Sequence, residues 1–197
     1  MKLQNYILVL FVALTCSMCN NSKKENTIPA EKLSTAKKES EHKVLSPADS
    51  LKLVNHQIEV QGEVEFPLKL TVDSLRKMKV VTLNDFKVVC QSGATKKVNT
   101  TCKGVLLKDI LEKAKIKQSG HKDRNFYIIA RASDDYKATF SWAEIFNNPT
   151  GQYTYVLFEE NGKPIKNGEM ILICTNDIKT GPRHVYWLKS VEIHKVK

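Results

Sequence analysis

The stretch 86-FKVVCQSGATKKVNTTCKGVLLKDIL-111 decides how this chain folds. It opens on a β-type run, Phe86, Val88 and Val89, that stops at Cys90. A polar loop carrying Gly93, Lys96 and Lys97 is expected from Gln91 to about Thr101. Cys102-Lys103-Gly104-Val105 then leads into an amphipathic helix, predicted over Val105 to Lys115, with Leu107, Ile110, Leu111 and Ala114 on one face. A thiol therefore stands at the end of a strand, beside a basic loop and shortly before a helix. Strand ends and the loops after them are where mixed folds often keep their chemistry. Free cysteine is also among the most buried residue types, so Cys90 reads equally well as a small core hydrophobe.

Upstream of this stretch, His56 to Gly62 alternates apolar and polar residues as a half-buried strand does. Phe66 to Leu70 is a second extended piece, with Pro67 confining it to an edge or a strand start. Thr71 caps a short helix bearing Val72, Leu75 and Met78. Downstream, Asn125 to Ala130 is an apolar run of strand length, and Tyr136 to Phe140 is another extended piece. Ser141-Trp-Ala-Glu144 is a capping box opening a helix that presents Trp142, Ile145 and Phe146 to the core. Thr154 to Phe158, Met170 to Cys174 and Val185 to Val196 read as the remaining strands. The pattern of about eight strands and three short helices lacks a strict βαβ rhythm. It implies an α+β fold, a mixed β-sheet with a few short helices in a single domain.

The chain has 197 residues, 31 Lys and Arg against 21 Asp and Glu, and five cysteines. Its apolar fraction of 42% excludes a wholly disordered polypeptide. Most of the +10 formal charge belongs to the body from Leu51 onward, where it suits an anionic ligand or surface. No zinc-finger spacing, RNA-recognition signature or helix-turn-helix pattern accompanies it, so nucleic acid is not an expected partner. Residues 1–19 read as an export signal: Lys2, then the short apolar run from Tyr6 to Leu14, then small residues. Cys16 and Cys19 come next, which suggests a lipoprotein signal in which one of them carries the lipid. Residues 20–50, rich in Asn, Ser, Lys, Glu and Pro, cannot bury enough apolar surface to order themselves and read as a tether. The expectation is an exported, lipid-anchored protein on the periplasmic side of a bacterial membrane or at the cell surface. Its folded body would span residues 51–197.

The body resembles the oxidoreductase molybdopterin-binding domain of the sulfite oxidase and periplasmic methionine-sulfoxide reductase superfamily. Gly62 to Leu75 is similar to that family's opening, a Gly, an extended piece and a short "L-T-x-x-x-L" helix. Val88-Val-Cys90 resembles the strand ending in the molybdenum-ligating cysteine. Gly104-Val-Leu-Leu-Lys-Asp-Ile-Leu111 resembles the "W-x-G-V-P-L-x-x-L-L" element. Ser133-Asp-Asp-Tyr136 resembles the "S-x-D-G-Y" turn, and Phe140-Ser141 the strand and helix after it. Gly162-Lys-Pro-Ile, Gly168, Ile171-Leu-Ile and Arg183 through Ile193 match the closing hairpin and last strand. The departures are Cys102 in place of the usual Trp, and Asp135 in place of the usual Gly. The chain also lacks the His-, Arg- and Trp-rich segments that wrap the pterin in longer members.

The resemblance implies a molybdenum-molybdopterin cofactor ligated by Cys90, whose soft thiolate suits the metal. Lys96, Lys97, Lys103, Arg124, Arg131, Arg183 and His184 are the remaining candidates for contacts to the pterin and its phosphate. Gly93 would let the loop backbone offer N–H groups to an anion. Arg183, with His184 beside it, is either an anion clamp or part of a surface turn at Gly181-Pro182. The implied activity is oxygen-atom or electron transfer, with a redox protein as partner. The alternative is a non-catalytic module on the same fold that binds an anionic small molecule or a protein. Cys90, Cys102 and Cys174 make an odd number in an oxidising compartment, so a Cys90–Cys102 disulfide is a rival use of the thiol.

Overall fold

A computed structural model describes residues 46–166 and 168–197. The expected signal, the lipidation cysteines Cys16 and Cys19, and the tether up to residue 45 lie outside the described residues. Ten strands and four short α-helices are present among the described residues. The strands are β1 (Ile58–Gly62), β2 (Leu68–Leu70), β3 (Val80–Val89), β4 (Thr95–Leu106), β5 (Phe126–Ala132) and β6 (Lys137–Ser141). Four more complete the set: β7 (Thr154–Glu160), β8 (Lys163–Pro164), β9 (Ile171–Cys174) and β10 (Leu188–Lys195). The helices are α1 (Pro47–Lys52), α2 (Val72–Arg76), α3 (Leu107–Ala114) and α4 (Trp142–Phe146).

The strands form two sheets. The first has the order β2-β1-β10-β5-β6, and its β1–β10 pair is parallel while its other pairs are antiparallel. The second has the order β3-β4-β7-β8, with β9 also paired to β7, and is antiparallel throughout. The alternation read in β1 is the reason it has one face inward, with Ile58 and Val60 fully buried, and in β5, read as an apolar run, Ile128 and Ala130 are fully buried as well. They share one core with Val105, Val156, Phe158 and Leu172 of the second sheet and with Leu107, Ile110, Leu111 and Ala114 of α3. A smaller cluster, Val88, Cys102, Leu157, Ile165, Ile171 and Ile173, lies apart from it, with Tyr186 packed alongside.

The α+β class with mixed strands and few short helices is what the structure shows. The capping box at α4 forms as read: the Ser141 side chain accepts from the Glu144 amide, and the Glu144 carboxylate accepts from the Ser141 amide. Trp142 and Ile145 are buried, and Phe146 stacks on Trp142 with ring centroids 5.0 Å apart.

Three expectations change. The polar loop from Gln91 to Thr101 is mostly the first half of β4, a strand of twelve residues that pairs with β3 as a long hairpin. Val105 accordingly belongs to the strand, which ends at Leu106, and the helix starts at Leu107. Residues Ser46 to Ser50, assigned to the tether, cap and begin α1, whose residues are not buried. The Cys90–Cys102 disulfide is excluded by register. Cys102 sits opposite Leu83, so Cys90 lies seven residues further along β3, roughly 20 Å away at ~3.3 Å per residue. A disulfide needs Cα atoms within ~7 Å, and Cys90, Cys102 and Cys174 are all free thiols.

Candidate functional site

Cys90 stands at the tip of the β3–β4 hairpin. Its amide donates to the Ala94 carbonyl and its carbonyl accepts from the Gly93 amide, both at 2.9 Å. Gly93 has φ +89°, which explains a glycine there, but nothing lies within 4 Å of where its Cβ would be. Its own N–H is used inside the turn, in the bond to the Cys90 carbonyl.

A second segment braces this tip. The buried Thr180 hydroxyl accepts from the Val89 amide and donates to the Lys87 carbonyl, each at 2.9 Å. Lys179 donates through Nζ to the Gln91 carbonyl. At Gly181 an added Cβ would lie 2.9 Å from the Val89 carbonyl oxygen and 3.3 Å from the Cys90 Cα. The Lys179–Gly181 backbone therefore presses against the strand end and fixes where Cys90 sits.

That segment continues into His184, which is 6% exposed and has no hydrogen-bond partner on either ring nitrogen. Its ring packs on Tyr186 at 4.2 Å. Burial, with the charge of Lys97 adding to it, pushes the imidazole down to about 4, so it is neutral at pH 7. The Tyr186 phenol is pushed up by burial first, then by the negative charge of Glu160. Lys97 Nζ donates to Glu160 Oε2 at 2.6 Å. Asn99, two residues along β4, is buried with its Oδ1 unpartnered. Beside this group lies a cavity of about 410 Å³, lined by Lys97, Glu160, Lys163, Lys166, Ile171 and Tyr186 among others.

Of the residues read from the sequence, Cys90, Gly93, Lys97 and His184 are thus brought to one neighbourhood. The others are not. Lys96 is exposed on the hairpin. Lys103 lies further down β4, its Nζ 2.6 Å from a Glu159 oxygen. Arg131 is in β5 of the other sheet, bound to Glu192 through Nε at 2.7 Å and to Asp135 through Nη1 at 2.7 Å. Arg124 lies over the Trp142 ring, 5.1 Å from its centroid. Arg183 is neither a free clamp nor a loose surface turn. Its Nε donates to Asp177 Oδ2 at 2.7 Å and its Nη1 to Glu144 Oε1 at 2.9 Å, and its guanidinium lies 4.4 Å over the Phe140 ring. Those donors are spent on tying α4 to the Gly181–Arg183 turn.

Four residues of the neighbourhood are not evident from the sequence: Asn99, Glu160, Thr180 and Tyr186. Only Tyr186 carries a usable signal, standing two residues beyond His184 in an alternating run.

The family model described as "Oxidoreductase molybdopterin binding domain" matches residues 45–196. No curated protein matches the chain. Among solved structures, the sulfane dehydrogenase SoxCD from Paracoccus pantotrophus is similar in fold, with TM-score 0.55 and 18% identity over 71% of this chain. The match spans 38% of that chain. Since the family model takes in the whole described body, both sheets and the braced cysteine included, this chain belongs to the oxidoreductase molybdopterin-binding domain family.

Proposed function

We propose that this domain is an oxidoreductase module that holds a molybdenum cofactor at the β3–β4 hairpin tip, with Cys90 as its thiolate ligand. The observation carrying the reading is the neighbourhood of Cys90 itself. Buried polar groups are nearly always paired, yet His184 keeps both ring nitrogens and Asn99 its Oδ1 unpartnered there. Such groups suit a polar ligand that completes them. Among the described residues no cluster of three or more His, Cys, Asp and Glu could bind a metal alone. One soft sulfur from Cys90 therefore fits a metal that brings its own sulfur ligands.

When bound, the cofactor supplies a metal centre that changes oxidation state and accepts or donates an oxygen atom. The chain's part is positional and electrostatic. Thr180 and Gly181 hold the hairpin end and so fix Cys90. Lys97, Lys163 and Lys166 place three cations against the single carboxylate of Glu160 around the cavity, which favours a phosphate-bearing ligand. His184, neutral at pH 7, can donate one hydrogen bond and accept another at its ring nitrogens without adding charge.

A second reading has its own support. Arg183 and Arg131, the guanidinium groups best suited to clamp an anion, are both committed to carboxylates. A module that has lost the cofactor and binds an anionic small molecule or protein partner would need no more than the lysine-lined cavity. Metal analysis of protein purified from a cofactor-producing host separates the two. Molybdenum near one per chain supports the oxidoreductase; fully folded, metal-free protein from that host overturns it.

We also propose that the domain works outside the cytoplasm, tethered to a bacterial membrane through lipid on Cys16 or Cys19, with a redox protein as partner. The apolar run from Tyr6 to Leu14 and the polar residues after Cys19 support this. Metabolic labelling with a radioactive fatty acid tests it. Loss of label in just one of Cys16→Ala and Cys19→Ala identifies the anchor, and no label in wild type excludes anchoring.

A further inference from the structure

Of the residues lining the lysine-rich cavity, only Glu160 carries negative charge, and it works against an anion there. Against it stand Lys97, Lys163 and Lys166, so two positive charges are left in excess. The neighbouring acid on β7, Glu159, is held by Lys103 and Arg76. Glu160 itself meets Lys97 Nζ with both oxygens, at 2.5 and 2.6 Å, and its side chain is 19% exposed. Pro164, Ile165 and Ile171 supply the apolar part of the lining. Charges beside such a wall are screened less than in open water. Lys163 stands directly across from Glu160 in the β7–β8 register, so the two share a face. Among the described residues no carboxylate is bound to Lys163 or Lys166. Glu160 thus has two lysine neighbours, of which it engages Lys97.

Resting on the reading of this cavity as a phosphate site, we propose that Glu160 is its specificity-determining residue. It neutralises Lys97 until a ligand enters, then gives that lysine up to the entering anion and turns to Lys163. Lys97 and Lys166 are then left facing the ligand, and their two charges match one phosphate group of about −1.5 to −2. A more highly charged anion keeps the Glu160 carboxylate at close range and is rejected by like-charge repulsion. An ion pair with a structural role alone would tie β4 to the end of β7 and leave anion preference untouched. The role of Glu160 lies at the anion end of the site and does not involve the sulfur of Cys90.

The test uses the full chain from a host that makes no molybdenum cofactor, titrated calorimetrically with inorganic phosphate and with pyrophosphate. Wild type is expected to bind phosphate, and K97Q to bind it at least fivefold more weakly. E160Q, which keeps the size of the side chain, should bind both anions more tightly and shift the preference at least threefold toward pyrophosphate. In the K97Q background the same change should have a smaller effect, because Lys97 is what Glu160 competes for. K113Q/K117Q, at exposed lysines at the end of α3 and just beyond it, should alter either affinity less than twofold. An unchanged preference in E160Q, or weaker binding by it, while wild type binds phosphate, overturns the role of Glu160 and leaves the phosphate site standing. Equal weakening by K97Q and K113Q/K117Q, or no binding by wild type, overturns the phosphate site and the proposal with it.

Discussion

The hydroxyl of Thr180 and the amide of Val89 meet at 2.9 Å, ninety-one residues apart in sequence, and the same hydroxyl donates to Lys87. One side chain thereby satisfies two backbone groups at the edge of the second sheet, immediately before Cys90. Thr180→Val keeps the shape and removes both bonds. We expect a loss of about 1–3 kcal/mol in urea unfolding, together with faster alkylation of Cys90 by a thiol reagent. Thr180→Ser should restore most of both. An unchanged alkylation rate in the Val variant would mean that Thr180 does not position the thiol.

Arg183 should behave as a structural residue. It is 21% exposed in its side chain and bound to Asp177 and Glu144. Arg183→Gln strands two carboxylates and is expected to cost on the order of 3 kcal/mol. Phosphate affinity, read by titration calorimetry under conditions where the variant is folded, should not change. A loss of phosphate binding with full stability would restore the anion-clamp role.

His184 gives the protein a specific acid sensitivity. Its folded value is held down at about 4 by burial, with Lys97 adding to it, while an unfolded histidine titrates near ~6.5. Between these values the unfolded chain holds the extra proton, so stability falls as pH drops from about 6.5 to about 4, by about 3 kcal/mol in all. Above that window the group contributes no slope. Glu192 acts in a lower window: the Arg131 hydrogen bond holds it at about 2, so its contribution is lost as pH falls below the ordinary carboxylate range. Chemical denaturation at pH values of about 7, 5.5 and 4.5 tests this, with His184→Phe expected to flatten the decline across that range. An equally steep decline in that variant would place the sensitivity elsewhere.

Much of this fold was legible in the residues, for a physical reason. A half-buried strand such as β1 must alternate, a short apolar run such as β5 suits a strand, and the Ser141–Glu144 spacing is the one a capping box requires. β4 was missed because its first half, Thr95 to Thr101, presents Lys, Asn and Thr on a hairpin largely in water, so no apolar period marks it. The site was legible only at Cys90, Lys97 and His184. Whether an arginine is free or spent depends on carboxylates brought in by folding. Arg131 meets Glu192 only because β5 pairs with β10, and no local pattern contains that.

Gly104 shows the opposite case, a residue whose type the tertiary structure dictates. A Cβ there would lie 2.4 Å from the Val156 carbonyl oxygen and 2.9 Å from the Leu157 Cα, both backbone atoms of the adjoining strand. Gly104→Ala must therefore part β4 from β7, and overpacking of this kind costs about 1–3 kcal/mol or more. Thermal unfolding should show a clear fall in Tm. An unchanged Tm would mean that the two strands are not packed this closely.

The central claim, that Cys90 supplies a sulfur ligand to molybdenum, is tested most directly by X-ray absorption at the molybdenum edge. Wild type and Cys90→Ser, both from a cofactor-producing host, are compared for the number of sulfur scatterers around the metal. The predicted result is one sulfur fewer in Cys90→Ser, or metal lost from it altogether, with the circular dichroism of the fold retained. Molybdenum bound with the same sulfur count in both proteins would contradict it.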